Sequence, residues 1–225
     1  MQIDILTLFP EMFTGFLETS IIKRARDNGY VNIKVHNFRD YSTDKHKRVD
    51  DYPYGGGAGM ILMCEPIFNA IEAIKTDDSL VIMLSPSGKT FNEQIAKDLS
   101  KQKHLILLCG HYEGFDERIR SIVDMELSIG DYVLTGGEVP AMAITDAVTR
   151  LIPNVISAES LNTESFEDNL LDYPNYTRPE VFRGMKVPEV LLSGHHKNIE
   201  AYRQSERIKK TNEVRRDMSG GDHHG

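Results

Sequence analysis

Three glycine-bearing segments follow strand-like apolar runs, and their residue types suit the binding of a small molecule. The segments cover residues 84–88, 109–114 and 128–138. Ligands of parallel sheets bind beyond the carboxyl ends of the strands, where glycine allows close backbone approach because it has no Cβ. One such segment alone is usually a tight turn, whereas three at successive strand ends predict a ligand pocket.

Two familiar nucleotide-binding motifs are excluded by their spacing. Gly88-Lys89-Thr90 resembles the end of a phosphate-binding P-loop, but that motif requires a glycine where the chain has Met83. The glycine-rich run at residues 55–59 resembles a dinucleotide fingerprint, but its last glycine is required where the chain has Met60. The sequence therefore predicts neither a P-loop nor a Rossmann-type site.

The glycine-rich run has two open interpretations: a flexible surface loop, or a loop that lies against a planar ligand or a nucleic-acid backbone. Charge favours the second. Residues 23–48 contain eight Lys or Arg and three acids, and residues 197–216 contain seven and three, although the whole chain has a net charge of −8. Such concentration of positive charge is typical of a phosphate-binding face, although two solvated helix faces would give the same count.

Two charged residues stand where they could take part in a reaction. Glu113 lies between Tyr112 and Gly114 in a tight loop, where a carboxylate could accept a proton or bind a ligand nitrogen. Arg150 ends a mostly apolar helical pattern. The simpler interpretation of Arg150 is a favourable interaction with the helix dipole.

The elements that position these residues alternate between strands and helices, which indicates an α/β domain with a mainly parallel sheet. Strands are predicted over residues 2–8, 30–35, 79–84 and 104–109. Helices are predicted over residues 20–28, 66–75, 92–102, 140–151 and 196–212.

Composition excludes several classes of protein. With 40% apolar and 27% charged residues, the chain is neither disordered nor fibrous, and its acidic balance excludes a uniformly basic nucleic-acid coat. Two cysteines, Cys64 and Cys109, cannot form a disulfide framework, which fits a reducing compartment. The chain also shows no signal-peptide or membrane-spanning pattern, and we expect a soluble, cytoplasmic protein without a membrane partner.

A change in composition near residue 160 predicts two domains. Residues 153–172 contain five acids and no Lys or Arg. We therefore predict an α/β domain over residues 1–158, an acidic flexible linker over 159–172, a small, mostly helical domain over 173–218 and a disordered tail over 219–225.

Five segments resemble the bacterial tRNA (guanine-N1)-methyltransferases, which modify guanosine 37. They are residues 6–13, 50–60, 109–118, 128–140 and 170–179, in the order of the family, within a resemblance that extends from Met1 to about Asp217. The resemblance implies a homodimeric SPOUT-class enzyme that uses S-adenosyl-L-methionine (AdoMet). It also implies a deep trefoil knot in the parallel α/β sheet, which the general rule against threaded chains does not predict.

The resemblance places the AdoMet pocket on the three glycine-bearing segments that the physical argument selects. The matching residues are Leu84, Ser85, Pro86, Gly110, Tyr112, Gly114, Ser128, Ile129, Gly130, Tyr132, Leu134, Gly136, Gly137 and Pro140.

The resemblance also implies catalytic roles. Arg150 matches the family's arginine that stabilises negative charge on guanine O6. The general base of the family is typically the aspartate of an Asp-Ser-Phe motif, whereas this chain has Glu164, Ser165 and Phe166. Glutamate keeps the carboxylate but adds one methylene, and Asp172 and Glu113 are alternative proton acceptors.

The substrate implied by the resemblance is a tRNA with guanosine at positions 36 and 37, bound by the domain over residues 173–218. The residues expected to contact it are Gly55, Gly57, Gly59, Asp172 and Arg178. The resemblance also implies Mg²⁺, for which the sequence indicates no ligands. Two alternatives stay open: a non-catalytic RNA-binding protein with the same fold, and a SPOUT enzyme that acts on another nucleotide.

Overall fold

Five parallel strands form the main sheet, as the alternating pattern predicts. The computed structural model describes residues 1–157 and 164–219, and the chain divides into two units, Met1–Ile156 and Ser157–Gly225. The strands of the first unit are β1 Gln2–Thr7, β2 Asn32–Asn37, β3 Asp50–Asp51, β4 Ile61–Leu62, β5 Ser79–Thr90, β6 His104–Cys109 and β7 Met125–Ser128. The main sheet has the order β2-β1-β6-β5-β7, and β3 and β4 form a separate antiparallel pair.

All four predicted strands are confirmed, with small differences at their ends. Strand β6 has the predicted bounds, and each of its six residues is buried, as expected for a strand covered on both faces. Strand β2 begins two residues later than predicted, at Asn32, and continues to Asn37.

Strand β5 corrects one expectation of the sequence analysis. A glycine-bearing loop was expected to begin at Leu84, but β5 continues to Thr90. The chain bulges within the strand, because Leu84 and Lys89 both pair with Leu127 of β7. A Cβ on Gly88 would lie 2.5 Å from the Leu127 nitrogen, so this close approach requires glycine.

Four α-helices of the first unit follow the predicted segments, whereas the short helix Thr14–Leu17 was not predicted. The asparagine cap that the sequence suggested is confirmed, because the Asn92 side chain accepts a hydrogen bond from the Ile95 nitrogen at 3.0 Å. Two helices begin two residues earlier than predicted, at Cys64 and Glu138. The helices are α1 Thr14–Leu17, α2 Ser20–Asp27, α3 Cys64–Ile74, α4 Glu93–Leu99 and α5 Glu138–Thr149.

Two hydrophobic clusters cover the two faces of the sheet. Alternate residues of the central strands enter opposite clusters; for example, Leu107 of β6 lies in one and Leu108 in the other. Helices α2, α4 and α5 contribute side chains to the first cluster, and α3 contributes to the second. The result is an α/β unit with helices on both faces of a parallel sheet.

The described residues of the second unit form a short hairpin and three α-helices. They are β8 Val181–Phe182, β9 Met185–Lys186, α6 Glu189–Leu192, α7 His196–Val214 and α8 Arg216–Ser219. Helix α7 begins at the predicted residue and ends two residues later than predicted. The predicted linker and tail lie partly outside the described residues, at 159–163 and 220–225. No helix within the described residues is both long and apolar enough to cross a membrane.

Candidate functional site

A cavity of about 470 Å³ opens beside the bulge of β5 and beyond the ends of β6 and β7. Its walls come from the three glycine-bearing segments of the sequence. All fourteen residues expected to bind the cofactor line it: Leu84, Ser85, Pro86, Gly110, Tyr112, Gly114, Ser128, Ile129, Gly130, Tyr132, Leu134, Gly136, Gly137 and Pro140. The volume is in the range of small-molecule sites.

Two of these segments touch each other through their backbones. The Gly137 nitrogen donates a hydrogen bond to the Gly110 carbonyl at 2.9 Å. A Cβ on Gly137 would lie only 2.7 Å from the Cys109 Cα, and a Cβ on Gly110 would lie 2.8 Å from the ring of Phe115. Because glycine lacks a Cβ, these segments of the cavity wall can pack directly against each other.

A buried acid that the sequence pattern did not indicate as functional lies directly behind the cavity wall, in contact with its lining residue His111. Glu138, at the first position of α5, has a side chain only 2% exposed. Its carboxylate accepts a hydrogen bond from the Thr7 hydroxyl at 2.7 Å and contacts the His111 Nε2 at 3.1 Å. Because His111 also pairs with Gly136 through a backbone bridge, Glu138 connects both cavity walls to the end of β1.

The glycine-rich run lies next to the predicted carboxylate Glu113. Glu113 lines the cavity, and a Cβ on Gly59 would come within 2.5 Å of its Cγ. Gly55, Gly57 and Gly59 all have positive φ angles, which other residues rarely adopt. The run therefore ends at the edge of the cavity, and its conformation depends on glycine.

Arg150 caps the end of α5, where it is half-buried. Its backbone nitrogen donates to the Asp146 carbonyl at 3.1 Å. It is not one of the cavity-lining residues within the described part of the first unit.

The other predicted residues lie in the second unit. Glu164 precedes Ser165, whose hydroxyl accepts from the Asp172 nitrogen at 3.1 Å and so closes a loop of the chain. The Asp172 carboxylate accepts from the Asn175 side chain at 3.1 Å. Both predicted proton acceptors of this unit, Glu164 and Asp172, therefore lie at the ends of one loop. Arg178 lines a separate cavity of the second unit.

Within residues 1–157 and 164–219, no three His, Cys, Asp or Glu side chains converge in an arrangement that could hold a metal ion. Mg²⁺ is commonly held by one or two carboxylates, water and substrate phosphates, so it needs no such cluster. The described residues therefore indicate no set of protein ligands for Mg²⁺.

Comparison with known proteins gives one consistent family. Residues 1–220 match the family described as tRNA (Guanine-1)-methyltransferase TrmD. Three similar proteins, each named tRNA (guanine-N(1)-)-methyltransferase, come from Dictyoglomus turgidum, Malacoplasma penetrans and Halalkalibacterium halodurans. Their identities are 58% over 212 residues, 59% over 218 and 58% over 226. These matches cover 94%, 97% and 98% of this chain and 86%, 96% and 92% of the relatives.

Proposed function

The chain belongs to the tRNA (guanine-1)-methyltransferase family, and we propose that it methylates N1 of guanosine 37 in tRNAs that carry guanosine at positions 36 and 37. The observation that carries the proposal is the family match over residues 1–220. The convergence of the three glycine-bearing segments on one cavity supports it. The proposed methyl donor is AdoMet, and the proposed compartment is the cytoplasm.

The cavity suits AdoMet in size and in the character of its walls. The backbones at Gly110 and Gly137 can lie this close because neither residue carries a Cβ, and the peptide groups of these two segments are available for polar contacts with a purine ring. Ser128 holds the third segment in place, because its hydroxyl accepts from the Gly130 nitrogen at 3.2 Å. When bound, AdoMet supplies a methyl group on a positively charged sulfur. The fourteen predicted residues that line the cavity are the proposed binding site.

The residues of the chain must then make guanine N1 nucleophilic. This nitrogen carries a proton at neutral pH, and we assign its removal to the carboxylate of Glu164. General-base assistance of this kind contributes about 10²–10⁴-fold to the rate. Deprotonation moves negative charge to O6. We assign the stabilisation of this charge to the Arg150 guanidinium, because a fixed cation in a water-poor site stabilises such charge.

The glycine-rich run is the proposed contact for the target base. A base inside a duplex or a stacked loop must turn outward to reach a buried methyl group. Gly59 and Glu113 lie together at the edge of the cavity, so a guanine that enters there would meet backbone from residues 55–59 and the Glu113 carboxylate. Glu113 and Asp172 remain the alternative proton acceptors, and Asp172 and Arg178 are further proposed contacts with tRNA.

The family also leads us to propose a homodimer with a trefoil-knotted first domain, and tRNA binding by residues 173–218. Light scattering on the active protein should give twice the mass of the chain. A single-chain mass with full activity would contradict the dimer. Mg²⁺ is proposed as a requirement of the reaction, with no role assigned to it.

The proposed activity is tested by methyl transfer from labelled AdoMet. A tRNA with G36 and G37 should become labelled, and the same tRNA with adenosine at position 37 should not. Equal labelling of both would contradict the assignment to guanosine 37, and mass mapping of the product would then identify the modified nucleotide. Binding of tRNA without any calorimetric binding of AdoMet would instead indicate a non-catalytic RNA-binding protein.

A further inference from the structure

The second unit contains its own cavity, of about 370 Å³, between the segment that begins at Tyr173 and helix α7. Apolar side chains, including Leu191 and Ile199, form part of its wall. Charged and aromatic groups complete the wall, among them Tyr176 and Arg203. This combination of an apolar wall and a few polar groups is typical of a ligand-binding cavity.

Arg203 lines this cavity and carries an unsatisfied donor. Its Nε is buried and has no hydrogen-bond partner within the described residues. The central carbon of its guanidinium lies 4.7 Å from the centre of the Tyr173 ring, within the range of a cation–π contact. A buried donor without an acceptor is unfavourable in the free protein, so movement of the Arg203 side chain toward an acceptor in the cavity would be favourable.

Neighbouring cations of the second unit have partners of their own. The Arg215 guanidinium pairs with Asp217 at 2.7 Å, and the Lys210 ammonium donates to the Asp172 carbonyl at 3.1 Å. Arg178, which lines the same cavity as Arg203, is exposed and shows no ion pair with any described residue. The cavity therefore has two guanidinium groups that are available to an anion.

The aromatic side chains define the second part of the ligand. Tyr176 lines the cavity and is 49% exposed, and the Tyr173 ring lies beneath Arg203. Aromatic faces in RNA-binding proteins stack against bases, and a guanidinium binds a phosphate through two parallel hydrogen bonds. Glu180 also lines the cavity, where a carboxylate favours a base that presents amino or imino hydrogens.

We propose that this cavity binds a single nucleotide of the RNA substrate, with its phosphate at Arg203 and Arg178 and its base against Tyr176. The proposal depends on tRNA being the substrate. The cavity is separate from the proposed AdoMet site, since all its lining residues belong to the second unit.

The experiment measures tRNA affinity of the full-length protein over a range of salt concentrations. Arg203→Gln removes the charge and the paired donors, and we expect affinity to fall about tenfold or more. The slope of log affinity against log salt should become shallower by about 0.7–0.9, the value for one lost phosphate contact. Arg203→Lys should recover part of the affinity, because it keeps the charge but not the paired donors.

Two further variants keep the test independent of folding. Arg178→Gln changes an exposed side chain, and it should lower affinity and the salt slope in the same direction. Lys103→Gln is the matched control: it removes one positive charge from an exposed side chain of the first unit that pairs with Asp78, and affinity should stay within twofold. AdoMet binding should be unchanged in all of these variants.

Each outcome decides between the two proposals. If the wild-type protein methylates tRNA but Arg203→Gln and Arg178→Gln bind it normally, the cavity proposal is wrong and the proposed function stands. Weaker binding with an unchanged salt slope would also overturn the cavity proposal, because no phosphate contact would have been lost. If the wild-type protein does not bind tRNA at all, both proposals fail.

Discussion

Two buried carboxylates, Asp4 and Glu138, are each held by histidine, yet they serve different parts of the first unit. Asp4 contacts the Nε2 atoms of His36 and His104 at 2.6 and 2.7 Å. Glu138 contacts one histidine, His111, and one hydroxyl. The side chains are 5% and 2% exposed, so burial does not distinguish them.

Their positions along the sheet distinguish the two carboxylates. His104 is the first residue of β6, and neither it nor Asp4 lines the cavity of the first unit. His111 follows the opposite end of β6 and does line that cavity. The same chemical pair therefore holds strands together at one end of the sheet and the walls of the cavity at the other. We expect the Asp4 network to control stability and the Glu138 network to control ligand affinity.

The largest expected effect of a substitution is at a third carboxylate, Glu164, to which we assign a role in the reaction itself. Glu164→Gln should lower turnover at least about tenfold and leave AdoMet affinity nearly unchanged, since a proton acceptor for guanine acts only in the reaction. The measurement is single-turnover methyl transfer together with calorimetry of AdoMet binding. Asp168→Asn, which changes a nearby exposed carboxylate, is the control and should retain normal turnover.

Normal turnover in Glu164→Gln would transfer the role of base to another carboxylate. Asp172→Asn and Glu113→Gln would then identify it, because only the true base should show a large loss in turnover. Equal losses in Glu164→Gln and Asp168→Asn would instead indicate that the local charge matters, rather than one proton acceptor.

Glu138→Gln should weaken AdoMet binding by about tenfold or more. An amide can accept the Thr7 hydrogen bond through its oxygen, but it then presents N–H to His111, and one buried polar contact is lost or reversed. Loss of a hydrogen bond to a charged group costs about 1.5–3 kcal/mol, and here it loosens the contact between the cavity walls. Calorimetry gives the affinity, and thermal unfolding without ligand gives the change in stability.

Asp4→Asn is the matched control for Glu138→Gln and should show the opposite pattern. Asparagine offers one acceptor oxygen to three donors, His36, His104 and Gln2, so stability should fall by about 2 kcal/mol. AdoMet affinity should stay within twofold. Weaker AdoMet binding in Asp4→Asn equal to that in Glu138→Gln would remove the distinction between the two networks.

The Asp4 network also predicts how stability depends on pH. Burial raises the pKa of Asp4, but hydrogen bonds from His36, Gln2 and His104 outweigh it and hold the pKa below its ordinary value. The contribution to stability is therefore full above the unfolded pKa of about 3.9 and disappears as pH falls through the lower folded pKa. Urea unfolding between about pH 6 and pH 3 should show a smaller loss of stability in Asp4→Asn than in the wild type.

The sequence predicts the outline of the cavity because that outline depends on local patterns. Apolar runs of strand length identify parallel strands, and glycines mark where backbones approach, so the segments that contain Gly110 and Gly137 can be selected without a structure. The extension of β5 is missed, because its bulge depends on the close approach of Gly88 to Leu127 of β7 rather than on any preference of residues 85–90.

Contacts between distant residues are not visible in such patterns. Thr7 and Glu138 are 131 positions apart, and nothing in the spacing around either indicates the other. The one available signal is Glu138 itself, an acid at the start of a mostly apolar helix. Acids are common at that position because they interact favourably with the free backbone donors there, so the pattern does not indicate a functional role. The cavity that contains Arg203 is missed for the same reason, since α7 reads as a charged, solvated helix.

The smallest expected effects come from removal of one hydroxyl group at the edge of each network. These substitutions test whether the Asp4 and Glu138 networks differ in their effect on AdoMet binding. Thr7→Val keeps the shape of the side chain but removes its bonds to Glu138 and to the Phe9 nitrogen. Ser79→Ala removes the hydroxyl that contacts His104 Nδ1 at 2.6 Å. Each change should cost about 1 kcal/mol of stability.

The two hydroxyl variants should differ in AdoMet binding, although they resemble each other in stability. Thr7→Val should weaken it a few-fold, because the Glu138 carboxylate then has only His111 to hold it against the cavity walls. Ser79→Ala should leave it unchanged, since the Asp4 network lies at the other end of β6. If both variants weaken AdoMet binding equally, general loosening of the sheet rather than the Glu138 contacts would control the cavity.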